Sequence, residues 1–165
     1  MVDFDRFQIL QFFSLAGSDL TVQIPVWLSK LKNLEFLALD FNQITGPIPS
    51  WLGNLPRLSY IDLAHNRILG EFPKQLCRLP RLLYEPIASQ AEDQYEFALP
   101  IFCNIITTNQ IFRPQKLSSF PTMVGLSNNN ISGYIPVEIG QLHLLCWLSL
   151  GYNNFSGVIP NQISN

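Results

Sequence analysis

The chain has few charged residues and no concentration of either sign. Charged side chains make up 13% of its 165 residues, and the formal net charge is −2. The sequence contains no basic run, so it lacks the electrostatic footprint that nucleic-acid binding requires. A hydrophobic content of 47% indicates that the chain has enough apolar surface to form a core. We therefore expect one folded domain that does not bind nucleic acid.

Long apolar runs are also missing. Nowhere do 18 apolar residues follow one another, so we expect no transmembrane segment in this chain. The opening residues include Asp3, Asp5 and Arg6 and contain no small-residue cleavage site. They do not resemble a secretory signal peptide.

Residue patterns that carry chemistry are scarce as well. Cys77, Cys103 and Cys146 form no Cys-x-x-Cys motif, and we interpret them as buried thiols that pack as small hydrophobes. His143 precedes Cys146 by three positions, but two further metal ligands are missing from this pattern. The sequence has neither a Gly-rich phosphate loop nor a Gly-x-Ser-x-Gly elbow. We expect no catalytic residues, no metal and no cofactor, and therefore not an enzyme.

What the chain does contain is a motif that repeats every 24 residues. Four copies read Gly-x-Ile-Pro or Gly-x-Phe-Pro and end at Pro49, Pro73, Pro136 and Pro160. An apolar ladder of the form L-x-x-L-x-L-x-x-N precedes each copy, a pattern typical of leucine-rich repeats. We predict an α/β solenoid of about five coils in a right-handed superhelix. Its parallel sheet lines the concave face, and short 3₁₀ or helical turns return the chain.

Each apolar ladder ends in an asparagine, and we predict a structural role for these side chains. The four residues are Asn42, Asn66, Asn129 and Asn153. At this position the chain turns away from the sheet, and an inward amide can bond the main-chain groups that the turn exposes. This interpretation is preferred to a ligand contact.

The spacing of the repeats predicts three segments. Residues 1–83 form leucine-rich repeats, of which the first is degenerate because Ser18 replaces the ladder asparagine and Val22 replaces the glycine. Residues 84–117 form an insertion, since Asn66 and Asn129 lie 63 positions apart instead of 24. Residues 118–165 form truncated repeats. The alternative for the insertion is two degenerate repeats and a loop, although it contains no leucine ladder.

We predict a second wall over the concave sheet for this insertion. Its residues 97–106 have the composition of a strand, and an extended peptide can pair with a strand edge. Aromatic, acidic and polar residues at open positions of the sheet complete the predicted peptide site. The predicted ligand-binding residues are Asp40, Tyr60, Asp62, His65, Phe97, Leu99, Ile101, Phe102, Ser127, Trp147 and Tyr152.

Two alternatives to this site stay open. The rings of Tyr60, Trp147 and Tyr152 fit packing under the insertion or against neighbouring coils as well as they fit ligand contact. Asp40 and Asp62 fit a solvated acidic surface equally well. Glycosylation sequons begin at Asn130 and Asn154, but serine at their third position also belongs to the repeat.

The chain resembles a family of plant receptors. The residues that carry the likeness are the run from Ile24 to Leu34, residues 48–53, residues 99–102 within the insertion, and residues 135–142. They are similar to the leucine-rich-repeat receptor kinases for tyrosine-sulfated peptides, which include the receptors for plant peptide containing sulfated tyrosine and the phytosulfokine receptors. The resemblance implies an ectodomain at the extracellular face of the plasma membrane. It also implies a short sulfated peptide held between the insertion and the sheet, and a co-receptor kinase with a small leucine-rich-repeat ectodomain.

The leading hypothesis is therefore a fragment of a cell-surface receptor ectodomain that binds a short extracellular peptide. A kinase-less receptor-like protein, or an inhibitory protein that uses the same concave face, is a second hypothesis. A truncated product without a function of its own is a third.

Overall fold

The structure is a computed structural model that describes residues 7–84 and 120–164. In these ranges the chain winds into coils that stack on one another through two parallel sheets. The strands of the first sheet are β1 (Phe12–Ser14), β2 (Phe36–Ala38), β3 (Tyr60–Asp62), β5 (Met123–Gly125) and β7 (Trp147–Ser149). Those of the second are β4 (Leu69–Glu71), β6 (Asn130–Tyr134) and β8 (Asn154–Ser156).

The first sheet comes from the apolar ladders. Side chains alternate along each strand, so Leu37 and Ile61 enter the core while Phe36 and Tyr60 face the open side. Equivalent residues of neighbouring coils pair in register, for example Leu37 with Ile61. The open face is defined here as the side of this sheet that carries Phe36 and its equivalents.

The second sheet comes from the Gly-x-Ile-Pro stretch. Gly70 in β4 and Gly133 in β6 adopt φ values of +89° and +83°, a region that residues with a side chain rarely enter. The proline that follows fixes the backbone before the return helix begins. The glycine and the proline therefore shape the bend between the second sheet and the return helix.

Short helices return the chain, as predicted. The 3₁₀ helices are Val26–Lys30, Ser50–Asn54, Lys74–Arg78, Val137–Gln141 and Asn161–Ser164, and a short α-helix, α1, spans Pro80–Leu83. Glycine does not end the Ser50–Asn54 helix in a left-handed conformation. Gly53 lies inside its helix without a positive φ, and a Cβ on it would lie 2.1 Å from the backbone oxygen of Gln75 in the next coil. Close packing between successive helices is the reason for glycine at this position.

The core runs along the axis between the two sheets and the return helices. Leu28, Leu52 and Leu76 occupy equivalent positions in successive coils, and each is fully buried. No coil encloses its own leucines, so each coil depends on its neighbours for cover. The predicted solenoid, with its parallel sheet and short 3₁₀ returns, is confirmed.

Strands β3 and β5 are direct neighbours although 63 residues separate equivalent positions. Ile61 pairs with Val124, and the backbone N–H of Met123 donates to the Ser59 carbonyl at 3.0 Å. The predicted strand 97–106, Cys103 and the candidate binding residues Phe97, Leu99, Ile101 and Phe102 lie outside the described residues. Within the described ranges, no helix has the length and apolarity needed to cross a membrane.

Candidate ligand-binding face

The first row of the open face is an aromatic stack. The Phe36 ring stacks on Phe12 at a centroid distance of 4.3 Å and on Tyr60 at 3.9 Å. Phe120 approaches the Phe36 ring edge-on at 5.3 Å, and Met123 packs against the same cluster. Phe36 and Tyr60 are consequently only 3% and 5% exposed. Stacking between coils covers both rings, so Tyr60 packs against its neighbours, which is the alternative that the sequence left open.

Trp147 occupies the same row one coil beyond Met123, and its environment differs. It begins β7 and pairs with Met123 in the sheet register. Its side chain is 52% exposed, unlike the buried ring of Tyr60. Of the predicted aromatic anchors in this row, Trp147 is therefore the one available to a partner.

The next rows bring two carboxylates onto the open face. Asp62 ends β3 and is only 7% exposed, and its Oδ1 accepts the Ala64 N–H at 3.0 Å. Gly125 lies beside it in β5, where a Cβ would stand 2.8 Å from that oxygen. Burial raises the pKa of Asp62 to about 6, with a further rise from the charge of Asp40. Burial also raises the pKa of Asp40, partly offset by a backbone hydrogen bond and by His65.

His65 is held from two sides. Its ring stacks on Phe41 with centroids 4.2 Å apart and planes 8° from parallel. Its Nδ1 lies 2.6 Å from Nδ2 of Asn128 in the next coil. The Asn128 side chain thus ties the His65 ring to the next coil.

An open groove begins at His65 and ends at Tyr152. It has a volume of about 500 Å³ and is lined by His65, Ser127, Asn128, Ser149, Gly151 and Tyr152. Its floor has small polar side chains or none, and a Cβ on Gly151 would meet no atom within 4 Å. A bound chain can therefore approach the sheet closely between two ring-bearing walls.

The structure brings together only some of the predicted site residues. His65, Ser127 and Tyr152 line the groove, whereas Asp40 and Asp62 lie beside it and Tyr60 lies in the packed stack. The sequence placed Asn128, Ser149 and Gly151 on the open face without giving them a binding role. Their signal was the repeat register, which puts Asn128 in the row of His65, Ser149 in the row of Asp62, and Gly151 in the row of Ser127.

A left-handed backbone conformation directs one side chain per coil to the rim of this face. Phe41, His65, Asn128 and Tyr152 have φ between 52° and 56°, and Gly17 occupies the equivalent place in the first coil. This conformation costs about 1 kcal/mol or more for a residue with a bulky side chain. Phe41 and Tyr152 are 59% and 88% exposed there. The turn, repeated in each coil, therefore presents rings to solvent.

The asparagine that follows each of these residues bonds the main chain. Asn66 accepts the Ile44 N–H at 2.9 Å and donates to Leu39, Leu63 and Ala64 carbonyls. Asn42, Asn129 and Asn153 make equivalent bonds. The sequon residues Asn130 and Asn154 are exposed at the starts of β6 and β8, in the second sheet.

Comparison with known proteins agrees with this geometry. The family described as Leucine Rich Repeat matches residues 33–55, 57–79, 122–142 and 144–165, which is more than half of the chain. The chain belongs to the leucine-rich-repeat family. The match stops at Leu79 and resumes at Thr122, so residues 80–121 are not covered by the family model.

Several similar proteins are plant receptors or receptor-like proteins. Over 154 residues the chain is 44% identical to "Receptor-like protein 3" of Arabidopsis thaliana, which covers 92% of the chain and 20% of that protein. It resembles the plant peptide hormone receptor RGFR1 in complex with RGF2, with a TM-score of 0.59 and 26% identity over 87% of the chain and 17% of that receptor.

A second solved relative is the Arabidopsis receptor kinase HAESA in complex with the peptide hormone IDA and the co-receptor SERK1. Its TM-score is 0.57, with 25% identity over 87% of the chain and 17% of that structure. The chain thus spans about a fifth of the length of these relatives or less.

Proposed function

We propose that this leucine-rich-repeat chain is part of a plant cell-surface receptor ectodomain that binds a short extracellular peptide along its open face. The observation that carries the proposal is the groove between His65 and Tyr152. Small residues form its floor and aromatic rings stand at its ends, an arrangement suited to a peptide main chain and its side chains. The groove lies on the concave side of the sheet.

The relatives support the same proposal. RGFR1 and HAESA are receptors whose solved structures contain a peptide hormone, and the HAESA structure also contains a co-receptor. A co-receptor kinase with a small leucine-rich-repeat ectodomain is accordingly the proposed protein partner. The extracellular face of the plasma membrane is the proposed location.

The insertion is proposed as the second wall of the site. The described residues that flank the insertion belong to the coils of the open face: α1 ends at Leu83, and the Phe120 ring packs on the aromatic stack. A peptide held between this segment and the sheet gains contacts from both sides, and tyrosine sulfation of the peptide is the finer form of the proposal.

Titration with defined peptides tests the proposal. The full chain is titrated by fluorescence anisotropy with a library of labelled eight-residue peptides, each prepared with sulfated and unsulfated tyrosine. We expect a subset to bind, and Tyr152→Ala to weaken that binding at least tenfold by removing one wall of the groove. Tyr134→Ala is the matched control, because Tyr134 is equally exposed but belongs to β6 in the second sheet. Binding that is absent, or equally sensitive to both variants, contradicts the proposal.

A kinase-less receptor-like protein is the second candidate for the whole molecule. The observation that favours it is the 44% identity to a protein named receptor-like protein. Both candidates use the same peptide-binding face. The full-length transcript distinguishes them, since only a receptor kinase continues into a kinase domain.

A further inference from the structure

Two carboxylates on the open face form no ion pair with lysine or arginine in the described part of the chain. The ion pairs found there join Arg57 and Arg81 to Glu35, and Lys74 to Glu138. None of the open-face strand positions holds lysine or arginine. Asp40 and Asp62 therefore face each other's charge, and the His65 ring, which acts on the pKa of Asp40, stands beside them.

Asp62 has one oxygen committed and one available. Its Oδ1 accepts the Ala64 N–H, and among the described residues no donor is paired with Oδ2. The residue is 7% exposed, so an ionised carboxylate there loses much of its hydration. A group that supplies both a positive charge and hydrogen-bond donors removes this penalty.

The shape of the face leaves room for such a group. Gly125 stands beside Asp62 in β5 and has no side chain to cover the carboxylate. Asp40 lies one strand over and two residues along from Asp62, which places the two Cα atoms roughly 8 Å apart. Ser127, two residues beyond Gly125, lines the groove. The acidic pair therefore adjoins the groove that the peptide main chain is proposed to occupy.

We propose that Asp62 and Asp40 receive the guanidinium or ammonium group of a basic side chain in the bound peptide, an inference that rests on the proposed function above. Asp62 supplies the buried carboxylate, and Asp40 adds a second negative charge nearer the rim. A guanidinium has five donors and reaches both acids, whereas an ammonium is a point charge. The same pair repels a sulfate, so a sulfated tyrosine must bind elsewhere on the face.

Peptide affinity then depends on pH. A bound cation favours the ionised form of Asp62. At pH 5 the Asp62 carboxyl is mostly protonated and must lose its proton when the cation binds, which weakens binding, whereas at pH 7 it is already ionised. The charged group that acts on Asp62 is Asp40 from the preceding coil, and His65 acts in turn on Asp40, whereas the adjacent strand β5 is uncharged. We expect the affinity for a basic peptide to rise roughly tenfold from pH 5 to pH 7.

Matched peptides test the assignment. Each library peptide that binds is resynthesised with arginine or lysine placed at one position at a time. A matched peptide carries the uncharged analogue at that position, citrulline for arginine or norleucine for lysine. The full chain is titrated alongside Asp62→Asn, Asp40→Asn and the control Asp19→Asn, which removes one exposed charge elsewhere. We expect the basic member to bind at least tenfold tighter at one position. Asp62→Asn should abolish that preference, Asp40→Asn reduce it, and Asp19→Asn leave it intact.

Two results overturn the inference. One is peptide binding without a preference for the basic member, and the other is a preference that survives Asp62→Asn; in either case the proposed function stands. Acetylarginine amide is titrated separately by NMR at the Gly125 amide. If the chemical shift of this amide changes only when Asp62 is present, and the chain binds no library peptide, the cation site is supported and the peptide function is refuted. Absence of both responses refutes both.

Discussion

The asparagine that ends each ladder satisfies several main-chain groups with one side chain. In Asn129, Oδ1 accepts the Ile68 N–H at 2.9 Å, and Nδ2 donates to the carbonyls of Leu63, Leu126 and Ser127. Asn129→Ala leaves these buried groups without partners, so we expect the free energy of unfolding to fall by about 3 kcal/mol in urea denaturation. The exposed Asn54→Ala is the control and should change it by less than about 0.5 kcal/mol. If Asn129→Ala lowers the free energy of unfolding no more than the control does, the Asn129 amide is dispensable.

Asp62 gives a second prediction, about stability and pH. Its folded pKa of about 6 exceeds its ordinary value of 3.8, so the folded state binds more protons between these values. The contribution of Asp62 to stability therefore falls as pH rises from about 4 to 6, and the ionised carboxylate costs roughly 2 kcal/mol above that range. Asp62→Asn keeps an oxygen for the Ala64 N–H and removes the charge.

Urea denaturation across this pH range checks the Asp62 prediction. We expect Asp62→Asn to be more stable than the wild type by about 2 kcal/mol at pH 7 and nearly equal to it at pH 3.5. A gain of the same size at both pH values would attribute the effect to packing instead of charge. Stabilisation by the variant that abolishes cation binding is the trade-off expected of a residue kept for a ligand.

The return helices stack more closely than their sequences indicate. Gly53 in Ser50–Asn54 faces the backbone of Gln75 in Lys74–Arg78, and a backbone oxygen cannot move aside as a flexible side chain can. We expect Gly53→Ala to lower the free energy of unfolding by about 3 kcal/mol in urea denaturation. Gly151→Ala is the control, since a Cβ there meets no atom within 4 Å. A Gly53→Ala protein as stable as this control would contradict the tight helix stacking.

Strands and returns differ in how far their sequences predict them. The leucine ladder predicts its strand because alternation is local, and the Leu37 side chain is buried wherever a neighbouring coil exists. The reason for Gly53 is not local, since its neighbour lies in the next coil. The burial of Phe36 and Tyr60 was left open for the same reason, since stacking across coils and the edge contact from Phe120 exist only after the sheet forms. The rim position of Tyr152 depends on a left-handed turn that its side chain does not favour.

The solenoid as a whole should survive removal of the insertion if the coil register is kept. Joining Leu82 to Thr122 by deleting residues 83–121 restores the 24-residue spacing, and residues 79–82 with 122–123 then match residues 55–60 at the joint. We expect this protein to unfold cooperatively and keep its far-UV circular dichroism, since β3 already pairs with β5. Loss of the Phe120 contact should cost about 1 kcal/mol.

A deletion of residues 83–120 is the matched control for this experiment. It leaves one extra residue before β5, and a shift of one residue turns the core side chains Val124 and Leu126 toward the open face. We expect the control to lose cooperative unfolding. If the in-register deletion fails in the same way, the insertion is an integral part of the solenoid. If it folds and still binds the library peptides with unchanged affinity, residues 84–117 do not form a wall of the site, and recognition belongs to the sheet alone.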